Sequence, residues 1–177
     1  MGAKGLTHFY YGGGKGKTSA ALGLAIRASG CGKGVVIVQF LKDWNCGELS
    51  SLALMPNITV FRGKSSGGVF FHELSEAEKA ATKNIHDNNL KKALELQKSG
   101  LCDVLILDEA VDAYQLGALD AALFDGLIDN KPEQLELVFT GHNADARLLE
   151  HADYVTEMVK RKHPYDKGIA ARKGIEF

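Results

Sequence analysis

Residues 12–19 read Gly-Gly-Gly-Lys-Gly-Lys-Thr-Ser, a run able to surround and neutralise phosphate. Glycines let backbone N–H groups close around phosphate oxygens, and a helix beginning at the loop's end adds its positive dipole end. Lys17 would set an ammonium on the phosphates, and Thr18 would offer a hydroxyl to Mg²⁺. Gly12, Gly13, Gly14, Lys15, Gly16, Lys17, Thr18 and Ser19 are therefore the candidate phosphate-binding residues. The common form of this loop has four residues between its first Gly and the Gly-Lys pair. Counted back from Gly16 that position holds Tyr11, so this loop is one residue shorter.

A phosphate loop of this kind needs a partner acid, and Val104-Leu105-Ile106-Leu107-Asp108-Glu109 supplies one. A short continuous apolar run reads as a buried parallel strand. Its terminal carboxylates would face the crevice at the strand's C-terminal end, beside a Mg²⁺ that bridges phosphate oxygens. Thr18 with Asp108 or Glu109 forms the candidate metal set, and Lys17 and Thr18, with one of these acids, the candidate catalytic set.

The elements that must hold these residues alternate. Strands are expected at 6–11, 34–40, 57–62, 103–108, 135–140 and 153–158. Helices are expected at 17–29, 47–54, 75–99, 117–129 and 143–151. Ser75 with Glu78 forms a capping box for the long helix, and Gly30 and Gly100 sit where left-handed caps favour glycine. Alternation of this kind predicts an α/β fold with a mostly parallel sheet, helices on both faces, and ligands at the C-terminal strand ends. Gln39, Thr140-Gly141-His142-Asn143 and Thr156-Glu157-Met158 end three more strands and would ring the crevice.

The whole chain agrees with this. At 177 residues a single domain, 1–177, is expected, with 45% apolar and 24% charged residues as in ordinary globular proteins. A net charge of −1 gives no reason to invoke nucleic acid or an anionic membrane. No apolar stretch approaches a membrane span. Met1 to Gly5 lacks an apolar signal core, so a cytoplasmic protein is expected. Cys31, Cys46 and Cys102 are odd in number and widely spaced, which suggests reduced thiols and no zinc site. His72, His86, His142 and His151 lack metal-ligand spacing and read as structural or surface groups.

From residue 9 to 177 the chain resembles the ATP:corrinoid adenosyltransferases of the cobalamin-biosynthesis type. The resemblance rests on the short loop at 12–19, Val36-Ile37-Val38-Gln39-Phe40-Leu41-Lys42, Leu107-Asp108-Glu109 and Thr140-Gly141. It rests also on the closing stretch Lys162-His163-Pro164-Tyr165-Asp166-Lys167-Gly168-Ile169-Ala170-Ala171-Arg172-Lys173-Gly174-Ile175. It implies a RecA-like P-loop NTPase fold and a homodimer. It also implies a reaction in which a Co(I) corrinoid attacks the 5′ carbon of ATP, giving adenosylcorrinoid and triphosphate. ATP would lie reversed, its terminal phosphate deepest in the loop. The resemblance also implies that Glu109, more than Asp108, is the acid nearer the metal and completes the catalytic set with Lys17 and Thr18.

The resemblance implies further that Phe70 and Phe71 lie beside the corrin and displace its lower axial ligand, so that four-coordinate Co(II) becomes easier to reduce. Two phenylalanines on an alternating strand could equally be core. A reduced flavodoxin or flavin would supply the electron. Arg27 could meet phosphate or ribose, or be a solvated helix residue. Lys42, Lys160 and Lys162 could serve ATP or the corrinoid. His142-Asn143 stands where an Arg-Gly is expected, and the N-terminal extension that some members fold over the corrin is not expected. A P-loop nucleoside or small-molecule kinase, or a RecA-type ATP-dependent regulator, would use the same loop and acid. The kinase would carry a strict-length loop and an arginine-rich lid.

Overall fold

The computed structural model describes residues 4–63 and 70–176. Six parallel strands form one sheet: β1 (Thr7–Tyr11), β2 (Val35–Gln39), β3 (Ile58–Arg62), β4 (Val104–Asp108), β5 (Glu136–Gly141) and β6 (Tyr154–Glu157). Their order is β3-β2-β4-β5-β1-β6. The helices are α1 (Lys17–Gly30), α2 (Gly47–Leu52), α3 (Glu76–Lys98), α4 (Ala110–Gln115), α5 (Ala121–Asp129) and α6 (Ala146–His151). This is the α/β architecture expected, consistent with a P-loop NTPase-like domain.

Side chains alternate across the central strands and so build two cores. Val35 and Ile37 of β2 and Val104 and Ile106 of β4 meet Ala21, Leu22 and Ala25 of α1 on one face. Val36, Val38, Leu105 and Leu107 point the other way, onto Leu90 and Ala93 of α3, Val111 of α4, Phe124 of α5 and Leu148 of α6. With both faces covered, central strands need apolar residues throughout, which is why β2 and β4 read as unbroken runs.

Most element ends fall within one to three residues of the sequence reading, the helix expected at 143–151 starting at Ala146, and two differences are larger. Helix α4 begins directly after the acid pair, where a strand end in loop was expected, and the helix expected at 117–129 shortens to α5. Gly30 is the last residue of α1, and the left-handed turn beyond it falls on Gly32, with φ 78°. Gly100 is left-handed as expected, and both halves of the Ser75–Glu78 capping box form.

The sheet order matters for the site. β1 carries the glycine loop, β4 carries the acids, and β5 lies between them. The C-terminal ends of all three strands open on the same side because the strands are parallel.

Candidate active site

The glycine loop folds against the segment leaving β6. Gly14 N–H donates to Met158 O at 2.6 Å, and Met158 N–H donates to Tyr11 O at 2.7 Å. A Cβ on Gly12 or Gly14 would lie 2.6 Å from Met158 O, and Gly12 has φ 110°, so neither position tolerates a side chain. Gly16, with φ 117°, starts α1 without any side-chain cap. The first turn of this 14-residue helix therefore offers backbone donors to an external acceptor. Lys17 folds back on the loop, donating to Gly12 O at 2.6 Å and Gly14 O at 3.0 Å. Burial pulls its ammonium below the usual lysine value, with the Asp112, Glu109 and Asp108 carboxylates opposing.

The acids sit beside it. Asp108 is buried and saturated: Oδ1 accepts from Thr18 and Thr140 hydroxyls, both at 2.9 Å, and Oδ2 accepts from Lys42 at 2.6 Å and Gln39 at 3.3 Å. Thr140 also accepts from Glu109 N–H at 2.8 Å, so β5 locks the acid pair from the side. Lys42 reaches Glu109 Oε1 at 3.1 Å and Thr18 Oγ1 at 3.2 Å as well. Burial raises the Glu109 carboxyl, and the Lys42 charge works against that rise.

Among the described residues, the two non-glycine residues with positive φ are Leu41 at 57° and Glu109 at 59°. Each such strained residue costs about 1–3 kcal/mol, and such strain clusters at functional sites. Both flank the lysine–carboxylate cluster. Leu41 N–H donates to His86 Nε2 at 3.2 Å while His86 Nδ1 bonds Ala118 O at 2.9 Å, so buried His86 fixes the turn that aims Lys42.

The loop, Glu109 and Lys42 wall a hollow of about 760 Å³ at the strand ends. Trp44, His142 and the C-terminal stretch Gly174–Glu176 also line it. Lys15 donates to Glu176 at 3.0 Å and to Ile175 O at 3.1 Å, which ties the chain's closing segment to the loop. Arg172 and Lys15 together hold the Glu176 carboxyl down at about 2. His142 pairs with Asp112 at 3.5 Å, and that hydrogen bond raises its imidazole above the ordinary value. The hollow thus joins a cradle of N–H donors and cations to a cluster of hard oxygens.

That cluster fits a divalent cation. Thr18 Oγ1, Asp108 and Glu109 are hard oxygen donors, and a positive charge already lies among them. No group of three or more His, Cys, Asp or Glu among the described residues could hold a metal alone. A cation here would have to take further ligands from a bound phosphate, as Mg²⁺ commonly does.

Comparison with known proteins places the whole chain in a family. The family model for the ATP:corrinoid adenosyltransferases BtuR/CobO/CobP matches residues 3–177. The chain belongs to this family. It is 31% identical to the corrinoid adenosyltransferase of Escherichia coli K12 over 175 residues, covering 98% of this chain and 86% of that one. The corrinoid adenosyltransferase CobA of Salmonella typhimurium LT2 is likewise 31% identical over 177 residues, with the same coverage. The Pseudomonas aeruginosa corrinoid adenosyltransferase is 33% identical over 177 residues, covering 98% and 84%.

In this adenosyltransferase the candidate residues separate into two groups. Gly13, Gly14, Lys15, Gly16, Lys17, Thr18, Ser19 and Glu109 line the hollow; Gly12 lies buried beneath it and Asp108 behind Thr18. Arg27 is not brought there. It is exposed near the far end of α1 and lines a different hollow with His8, Tyr10, Glu136 and Tyr154. Phe70 and Phe71 do not line the main hollow either; Phe71 opens a 3-10 turn (Phe71–Glu73) and Phe70 precedes it in extended conformation. Phe71 packs half-buried on the core, while Phe70 is 70% exposed beside His72. Residues 67–69 of the same aromatic segment lie outside the described residues. Trp44 and the closing Gly174–Glu176 were missed as lining groups. The signal for Trp44 was present: it is the chain's one tryptophan, two residues past Lys42. All three cysteines are free, and no helix among the described residues is long and apolar enough to cross a membrane.

Proposed function

We propose that this chain transfers the 5′-deoxyadenosyl group of ATP to a Co(I) corrinoid, giving adenosylcorrinoid and triphosphate. The observation that carries this reading is the family match over residues 3–177, joined to a hollow whose cradle and acids suit a triphosphate. A kinase or a RecA-type regulator is not favoured by that match.

The reaction forms a cobalt–carbon bond and breaks the bond from C5′ to the triphosphate oxygen. The leaving oxygen takes the bonding pair, and no proton has to be removed, so no general base is required. What the protein must supply is charge stabilisation on the departing triphosphate and a fixed line of attack. The loop N–H groups and the start of α1 are preorganised donors for the deepest phosphate. Lys17 gives up two carbonyl partners to meet a phosphate oxygen, which also relieves the burial that lowers its proton affinity. ATP lies reversed, so that C5′ points out of the loop towards the corrinoid. Mg²⁺ held by Thr18, Asp108 and Glu109 would neutralise phosphate charge. Asp108 orients the Thr18 hydroxyl from behind. Phe70, the more exposed ring, faces the corrinoid and favours four-coordinate Co(II) before reduction by a flavodoxin or flavin. The working unit is a homodimer.

Lys17→Ala tests the site. With chemically reduced cobalamin and ATP, its rate of Co(I) absorbance loss falls by about 10²–10³ relative to wild type, the loss of one preorganised contact. A folded Lys17→Ala protein retaining more than roughly a third of the wild-type rate would contradict this placement of the triphosphate.

A further inference from the structure

The ammonium of Lys42 stands among the three oxygens that a divalent cation would need. It approaches Asp108 Oδ2 at 2.6 Å, Glu109 Oε1 at 3.1 Å and Thr18 Oγ1 at 3.2 Å, one oxygen for each of its N–H groups. Its side chain is 8% exposed, so little water shares the position. The chain bends sharply to put it there, through left-handed Leu41 held by His86. Beside the cluster, Gln39 Oε1 is buried and finds no hydrogen-bond partner among the described residues, an acceptor left over for a donor such as a metal-bound water.

We propose that Lys42 is a built-in counter-ion that occupies the cation position while the protein is free of nucleotide, and that a divalent cation displaces it only when it arrives on a triphosphate. This rests on reading Thr18, Asp108 and Glu109 as the metal-holding oxygens. Adjacent carboxylates, Asp108 buried and Glu109 partly so, repel, and an internal cation keeps both ionised and in place. An ammonium and a divalent ion cannot share the same three oxygens, since the repulsion at such separations in a poorly solvated site is large. A bare divalent ion must therefore expel Lys42 and still lacks most of its preferred ligands. Triphosphate removes both obstacles. It brings oxygens to the metal and new acceptors to Lys42, which lines the same hollow. The cation and the nucleotide then enter as one unit, and the strained acid turn is held ready in the meantime.

The test uses Mn²⁺ alone, without nucleotide, on wild type and Lys42→Met, with bound Mn²⁺ read by electron paramagnetic resonance and by melting temperature. Lys42→Met binds Mn²⁺ with an affinity about ten-fold or more above wild type, and Mn²⁺ raises its melting temperature but not that of wild type. A variant that folds only with Mn²⁺ present gives the same answer. Equal Mn²⁺ affinity in the two proteins, or weaker binding by the variant, overturns the proposal.

Should Lys42→Met not fold in either condition, ¹⁵N-lysine spectra of wild type decide. The Lys42 ammonium is protected from solvent exchange in the free protein, unmoved by Mg²⁺ alone, and shifted by Mg²⁺ with ATP. A Lys42 signal that Mg²⁺ with ATP leaves unmoved overturns the proposal. Neither readout uses adenosyl transfer, so the adenosylation assay tests the reaction itself independently of this cation exchange.

Discussion

Asp108 accepts four hydrogen bonds and is almost wholly buried, whereas its neighbour Glu109 meets Lys42 and borders the hollow. Their replacements should therefore fail differently. Asp108→Asn leaves Lys42 with less countercharge in a buried position, and urea unfolding should show a loss of about 3–5 kcal/mol. Glu109→Gln removes a carboxylate that burial already disfavours, so its stability should change little. It should instead raise the Mg²⁺ concentration needed for half-maximal activity more than Asp108→Asn does. The opposite ranking in both measurements would reverse the roles.

His142 offers a pH test. Its imidazole titrates above the ordinary value because of Asp112, so its stabilising charge is fully present below about pH 6.5 and is lost as pH rises through the raised value. The group is 63% exposed, so solvent limits the effect on folding to a few tenths of a kcal/mol. The clearer signal is ligand binding. ATP affinity should fall across that window in wild type, and the fall should vanish in His142→Arg; a matching fall in both would exclude His142. Lys17 and Thr18 could be read from spacing alone, because one contiguous motif carries them. The role of Lys42 could not. Its partners lie 24 and 66 residues away, and only the fold brings them together.

At the scale of elements, the strands were legible because burial on both faces leaves an unmistakable apolar run, as in Val35–Gln39 and Val104–Asp108. Helix α4 was hidden because it starts on the acid pair itself: left-handed Glu109 is its N-cap, a position that Ser, Thr, Asp or Asn usually signal. The aromatic pair came from the resemblance, with core rings on an alternating strand as its plain alternative; the segment forms a single 3-10 turn with Phe70 at its start, which divides the two rings. Phe71 packs against the core, so Phe71→Ala should lower stability by about 2–4 kcal/mol, read by denaturant unfolding. Phe70→Ala should leave stability nearly unchanged and slow adenosylation from Co(II) more than from prereduced Co(I). Equal slowing from both starting states would assign Phe70 no part in preparing the cobalt.

Across the whole molecule, parallel strands bring the C-terminal ends of β1, β4 and β5 to one side, and Glu176 returns there through Lys15. That return explains why the closing stretch from Lys162 to Ile175 carried so much of the resemblance: Gly174, Ile175 and Glu176 line the same hollow as the loop. The altered loop length was visible in the sequence, whereas the orientation of the nucleotide came only from the resemblance, since loop and acid would serve phosphoryl transfer equally well. The phosphate product separates the two. Incubation with ATP, Mg²⁺ and chemically reduced cobalamin should yield inorganic triphosphate equimolar with adenosylcobalamin as the Co(I) absorbance disappears. Formation of ADP, with or without inorganic phosphate, and no adenosylcobalamin would contradict attack at C5′ and with it the assignment of this site to adenosyl transfer.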